Sequence, residues 1–157
     1  MDVAGSFVVE APREAVWTLI RDPEVVARCV PGCSSIEPLG PTSYRAAVKI
    51  GLGPLKMTFN VVVDVVEEIE PESILSTTSG EEGGRASFVS SKNRLALAAL
   101  DDERTEVSYA STVSVTGRLG KFGLGMMRKK ADSVAAEFGR AFGEVARTAA
   151  ATVATPP

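Results

Sequence analysis

At Gly117 the hydrophobic pattern changes period, and this change constrains the architecture more than any motif does. Before it, apolar and polar residues alternate. Tyr44, Ala46, Val48 and Ile50 share one face against Arg45 and Lys49; Met57, Phe59, Val61, Val63 and Val65 form a second set; Val107, Tyr109, Ser111, Val113 and Val115 form a third. A period of two marks strands with one face buried and one wet. From about Gly120 to Ala149, Leu124, Met127, Ala131, Val134, Phe138, Ala141, Phe142 and Val145 recur every three or four residues, the stripe of one long amphipathic helix. At ~1.5 Å per residue, roughly 28 residues span about 40 Å, enough to cross the concave face of a twisted sheet. Gly120, Gly123 and Gly125 should loosen or kink its first turns.

The remaining punctuation fills in the order of elements. Residues 2–10 read as a strand ending at Ala11-Pro12, where proline suits the first turn of a helix. Val16, Leu19 and Ile20, with Trp17 beside them, give that helix an apolar stripe. Asp22-Pro23 starts a second short helix, which runs to about Cys29 and stops at Pro31-Gly32. Gly51-Leu52-Gly53-Pro54 joins two strands into a hairpin, and Glu70-Pro71-Glu72-Ser73 makes the next turn. Residues 85–100 switch parity between Phe88 and Leu95, which predicts a bulge or bend near Ser90 to Asn93 before the turn at Asp101-Asp102-Glu103. The reading is one α+β domain over residues 1–148: an antiparallel curved sheet of about seven strands wrapped around a long C-terminal helix, with two short helices after the first strand. Residues 149–157 are expected to be a frayed tail.

Composition narrows the chemistry. The 157 residues contain no histidine, which removes the commonest general base, the commonest metal ligand and every Ser-His or Cys-His arrangement. Cys29 and Cys33 alone suit neither a four-ligand zinc site nor an iron–sulfur cluster, so no metal or resident cofactor is expected, and both read as ordinary thiols of a reducing cytoplasm. The net charge is −3 but uneven: residues 118–147 carry about +4 and the rest about −7. Such a body repels phosphate backbones, so nucleic acid is an unsuitable partner. No apolar run approaches the roughly 20 residues of a membrane span and no basic, apolar leader opens the chain, so the expected location is cytoplasmic.

Two groups of residues are candidates for function. Met57, Phe59, Val61, Val63, Phe88, Tyr109, Val113, Phe122, Met126, Met127, Val134 and Phe138 could line a cavity between sheet and helix, with Phe142 beyond them; flexible Met and flat aromatics suit a greasy ligand. The plain alternative for each is core packing. Tyr44 and Tyr109, with Arg94 and Lys92, are the polar groups that could face a ligand head, although Arg94 and Lys92 also fit a solvated strand face. Arg128, Lys129 and Lys130 beside Met126, Met127 and Phe122 combine charge and grease as membrane-touching or partner-docking helices do, and equally fit an exposed helix end.

Pro12, Trp17 and Leu19, then Asp22-Pro23-Glu24, Cys29-Val30-Pro31-Gly32-Cys33, Gly53-Pro54, and Thr105 through Val115-Thr116-Gly117-Arg118-Leu119 to Gly123, taken in order and spacing, resemble the G-subunit family of carbon monoxide dehydrogenase. The resemblance runs from about Val3 to Phe142. It implies a helix-grip, or START-like, fold and service to a molybdenum-containing carbon monoxide dehydrogenase or related xanthine-oxidase-type enzyme: maturing it, bringing it to the membrane, or linking it to its electron acceptor. Members often carry an extended membrane-seeking tail, whereas this sequence stops at Pro157, so anchoring through such a tail is not expected. The expected function is a noncatalytic carrier or adaptor for a lipophilic molecule such as an isoprenoid quinone or lipid, cytoplasmic or peripheral on the inner face of the cell membrane. The alternatives are an assembly or recruitment factor without a ligand, and a cyclase-like enzyme.

Overall fold

A computed structural model describes residues 1–154 of the chain, with side chains through Ala150. The elements are β1 (Asp2–Val9), α1 (Arg13–Ile20), α2 (Pro23–Cys29), β2 (Cys33–Gly40), β3 (Ser43–Leu52), β4 (Leu55–Ile69), β5 (Ser73–Glu82), β6 (Ser87–Ala99), β7 (Thr105–Gly117) and α3 (Leu124–Ala154). Single 3₁₀ turns occupy Gly83–Arg85 and Arg118–Phe122. The seven strands form one antiparallel sheet in the order β1-β7-β6-β5-β4-β3-β2, so β2 through β7 meander and β1 closes on the last strand. This is the α+β architecture the change of period requires: one buried sheet face, and one long helix to bury it.

Local chemistry places the short helices. Pro12, extended, precedes α1, while the Asp22 carboxylate caps α2 by accepting from the Glu24 N–H at 3.0 Å with Pro23 next in line. Thr105 Oγ1 donates to the Ala11 carbonyl at 2.8 Å, pinning the entry to α1 onto the start of β7. Leu52 pairs with Leu55 across Gly53-Pro54, and Gly53 takes the positive φ of 57° that this tight turn demands.

Two expectations need correction. No bulge interrupts β6: its register with β5 and β7 is continuous, and Ser87, Val89, Ser91, Asn93, Leu95 and Leu97 all lie on the more buried side. The parity switch is only apparent, because Phe88 faces out and small polar residues take the inward places. The register shifts instead fall between Val65 and Glu67 on β4 and at two points of β2. The long helix begins at Leu124, because Gly117 (φ 86°) and Gly123 (φ 84°) break the backbone on either side of the Arg118–Phe122 turn, and it continues to Ala154. Residues 155–157, the end of the expected frayed tail, lie outside the described residues.

The core is divided. One cluster joins Val9, Val16, Trp17, Val25, Leu97, Val107, Phe142 and Ala146, where α1, α2 and the later turns of α3 meet the sheet. A second joins Leu52, Met57, Phe59 and Leu119 at the other end, with Phe122 and Met127 packed against it. The space between these two clusters is where the site lies.

Candidate functional site

Midway along the concave face the inward side chains shrink. Ser91 and Asn93 on β6 and Ser111 on β7 replace the aliphatics found nearer the strand ends, while α3 presents Ala131 and Ala135 opposite them. Small residues on both layers cannot fill the gap that larger ones at each end hold open. The result is a partly open cavity of about 580 Å³, within the ordinary range of small-molecule sites. Its wall is chiefly apolar, with Val113, Val115, Leu119, Met127, Val134 and Phe138 among the contributors.

A smaller chamber of about 260 Å³ adjoins it, bounded by Ile20, Pro23 and Val26 on the helix side and by Tyr44, Val63 and Val65 on the sheet. Thr78, Asn93, Leu95, Tyr109, Ser111 and Phe138 belong to the walls of both, so they form the partition. The polar part of that partition is ordered. Asn93 Nδ2 donates to Thr78 Oγ1 at 3.0 Å and to Ser76 Oγ at 3.4 Å, and Ser111 Oγ donates to Asn93 Oδ1 at 2.8 Å. Three strands are thus cross-tied by one amide. The Tyr109 ring lies over Gly5, directly opposite it on β1; a Cβ there would sit 2.8 Å from Tyr109 Cζ, so only glycine accommodates this ring position. At the far side of the smaller chamber Arg21 bridges to Glu68 at 2.9 Å and stacks over Trp17. Burial, reinforced by Cys33, pushes the Tyr44 phenol above its ordinary pKa, so it stays a protonated donor.

An aromatic trio supports the helix side. Phe138 stacks on Phe142 with centroids 5.7 Å apart, and Phe7 meets both edge-on. Phe7 also packs at Gly139, where a Cβ would approach its ring to 3.2 Å, so β1 and α3 come unusually close. At the other end Glu82, 2% exposed, takes a bidentate ion pair from Arg118: Nε donates to Oε1 at 2.7 Å and Oε2 at 3.0 Å, and Nη2 also donates to Oε1. Ser87 Oγ accepts from the Leu119 N–H at 2.9 Å, so the turn carrying Leu119 into the cavity wall is fixed from two sides.

The residues singled out in sequence divide into five groups. Tyr109, Val113, Met127, Val134 and Phe138 line the larger cavity, and Val63 and Tyr44 the smaller. Met57 and Phe59 are buried in the second core cluster, with Val61 and Phe122 packed against it, so core packing claims them. Phe88 and Met126 are exposed: Phe88 because of its strand parity, Met126 because it stands off the sheet-facing side of α3. The basic triplet diverges: Arg128 donates to the Asp2 carbonyl at 2.6 Å, Lys129 is exposed, and Lys130 lies in the cavity wall. Arg94 and Lys92 are exposed on β6, Arg94 at the edge of the smaller chamber. Sequence reasoning missed Asn93, Ser91, Ser111, Thr78 and Gly5; counting period two backward from Leu97 would have brought Asn93 and Ser91 inward.

Both cysteines are free thiols, and burial raises the pKa of Cys29. Among the described residues no group of three or more Cys, Asp or Glu side chains is placed to hold a metal ion, and no helix is long and apolar enough to cross a membrane.

Comparison with known proteins agrees with this geometry. The family model for the carbon monoxide dehydrogenase G-subunit (CoxG) matches residues 5–146. A conserved protein from Geobacillus kaustophilus superposes with a TM-score of 0.88 at 24% identity, covering 94% of this chain and 96% of its own. A START superfamily protein from Mycobacterium smegmatis gives 0.75 at 17% identity over 94% and 97% of the two chains. The Zhui aromatase/cyclase from Streptomyces sp. R1128 gives 0.67 at 16% over 94% and 93%. At these identities the superpositions establish the START-like, helix-grip fold. No curated protein sequence matches the chain significantly.

Proposed function

The chain belongs to the CoxG family, the G-subunit family of carbon monoxide dehydrogenase, and from that premise we propose that it is a noncatalytic carrier that holds a lipophilic molecule, an isoprenoid quinone or a lipid, between α3 and the sheet. The observation that carries this reading is the partly open apolar cavity of about 580 Å³. Each CH₂ of a prenyl or acyl chain moved from water into it contributes about 0.8 kcal/mol. The client is a molybdenum-containing carbon monoxide dehydrogenase or a related xanthine-oxidase-type enzyme, whose electrons must reach an acceptor dissolved in lipid.

The carrier works on the cytoplasmic side and touches the inner face of the membrane peripherally. Exposed Leu124 and Met126 stand beside Lys129 on the first turns of α3, next to the cavity wall at Met127 and Lys130. Pelleting with anionic vesicles should weaken when Lys129 and Lys130 are both changed to Glu; unchanged pelleting would move the contact elsewhere.

The decisive experiment is purification without detergent, extraction with organic solvent and mass spectrometry of what comes away, alongside a cavity-filled Val113→Phe variant. A stoichiometric lipophilic molecule in the wild type and none in the folded variant supports the carrier. An empty extract together with retained binding to the dehydrogenase supports the assembly role instead. Deleting the chain then separates the two in the cell: without a carrier the dehydrogenase stays active with artificial dyes, and without an assembly factor it is inactive or cofactor-poor. A cyclase-like activity finds some support in the likeness to an aromatase/cyclase and in the two cavity tyrosines. It is disfavoured because the larger cavity's wall carries neither carboxylate nor histidine to act as a base, and burial holds the Tyr44 phenol protonated.

A further inference from the structure

The two ends of the sheet carry opposite charge. Residues 118–130, where β7 gives way to α3, hold five basic side chains and no acidic one. The tips of the β4–β5 and β6–β7 hairpins, residues 66–72 and 98–106, hold eight carboxylates and one arginine. These tips lie at the other end of β7, whose 13 residues run about 40 Å. Ion pairs neutralise little of this charge. Arg104 takes Asp101 and Arg21 takes Glu68, while Glu67, Glu70, Glu72, Asp102 and Glu103 stay exposed. The acidic end is also greasy: Val8, Val66, Ile69 and Leu100 are exposed there, Val66 by 66%. Ile69 pairs with Ser73 and Ser73 with Ala96, while Ala98 pairs with Glu106 and Glu106 with Val8. Val8 and Ile69 therefore stand on the same outward face of the sheet, four strand spacings or about 19 Å apart. Ser73, Ala96, Ala98 and Ser108 lie between them and are short, so the surface there is low and flat.

We infer that this end, the outward face at the tips of the β4–β5 and β6–β7 hairpins, docks on a protein surface whose apolar centre is ringed by lysines and arginines. That the surface belongs to the client dehydrogenase rests on the client named above. Single exposed apolar side chains are ordinary, but several gathered at one end among carboxylates have the layout of an interface, an apolar centre with a charged rim. The sign of the rim selects the partner. Anionic lipid and nucleic acid are both repelled by it, whereas a basic protein patch is drawn in and oriented, which speeds encounter more than it tightens the final complex. The apolar side chains then set how long the complex lasts. Because the basic start of α3 lies at the opposite end of β7, docking here leaves that end open to the membrane.

The test is biolayer interferometry of the full chain against the molybdenum-containing carbon monoxide dehydrogenase purified from the same host, at low and high salt. In the Glu67→Lys, Glu72→Lys double variant the association rate should fall about tenfold at low salt, and the difference should shrink at high salt. In the Val66→Ser, Ile69→Ser double variant dissociation should quicken about tenfold at either salt. Lys56→Glu with Lys121→Glu, two exposed lysines at the other end, should change neither rate beyond about twofold. Wild-type binding that neither of the first two variants weakens overturns this inference and leaves the client standing. So does light scattering that shows the chain pairing acidic end to basic end with a second copy, an association that Glu67→Lys, Glu72→Lys abolishes. A wild type that does not bind the dehydrogenase takes down both.

Discussion

Val113→Phe is the perturbation that tests whether the space between sheet and helix exists in solution. Val113 projects into the larger cavity from β7, opposite Ser91 on β6, and its backbone N–H and C=O are already engaged with Met1. A Phe fits the strand propensity of the position and adds ring surface to the void. Full burial is worth about 1.5 kcal/mol for Val and about 3 kcal/mol for Phe, so the difference is at most about 1.5 kcal/mol. Because the cavity is partly open, about 1 kcal/mol of added stability is the reasonable expectation. For a chain of this size that raises the melting temperature by about 2–4 °C, readable by calorimetry or circular dichroism on ligand-free protein. The same ring occupies ligand space, so affinity for a long-chain probe should drop at least about tenfold, a loss of about 1.4 kcal/mol. The two signs must go together. Destabilisation by about 1–3 kcal/mol would be the signature of overpacking and would show that the region is a filled core. Val61→Trp would not make this test, since Val61 already packs against the second core cluster and against Gly80.

Three further outcomes follow from the same contacts. Phe142→Ala removes a fully buried ring from the first cluster and from the Phe7–Phe138–Phe142 group, and should cost about 3–5 kcal/mol in urea unfolding. Gly143→Ala, where a Cβ meets nothing within 4 Å in the middle of α3, should stabilise by about 0.5–1 kcal/mol, whereas Gly139→Ala should give less or reverse sign because Phe7 stands in the way. The Arg118 guanidinium, with help from Ser87, holds the Glu82 carboxyl below the usual carboxylate range. Its folded pKa therefore lies below its unfolded one, so its contribution is present in full above the unfolded value and is lost as pH falls through the folded value. Glu82→Gln should lower stability at neutral pH and flatten the acid limb of the stability–pH curve; a limb of unchanged slope would assign acid sensitivity to other carboxylates such as Asp101, which Glu103 N–H and Arg104 also hold low.

The fold is largely legible in the sequence because it depends on periodicity. The alternation through β3, β4 and β7, and the helical stripe of α3, survive whatever fills the interior, since they report only which side of each element is dry. The site is legible only in part, because a cavity breaks the rule that inward means large and apolar. Tyr109, Val113, Met127, Val134 and Phe138 obey the rule and stand out. Ser91, Asn93 and Ser111 violate it, and on β6 the violation mimics a bulge. Met57 and Phe59 obey the rule too, yet they fill the second core cluster, because the pattern of a single strand does not say which part of a divided interior a residue will reach. Gly5 carries no signal of its own; its role emerges only once Tyr109 is seen directly opposite.

That division of the interior also says how such a chain remains stable while keeping a void. Each of the two clusters is closed by its own aromatic: Phe142 among α1, α2 and α3 at one end, Phe59 beside Leu119 at the other. Between them, the Asn93 amide cross-ties β5, β6 and β7 without filling volume. A half-buried amide that bonds only to hydroxyls is a weaker cement than a leucine would be, and Ala131 and Ala135 leave α3 short of contacts at the same level. Replacing Ser91 and Ala135 together with Leu should therefore yield a more stable protein that has lost its ligand. If stability rises and binding persists, the cavity is larger than the ligand needs. If stability falls, the polar belt is a structural necessity of the curved sheet, and the cavity is a gap the fold could not close.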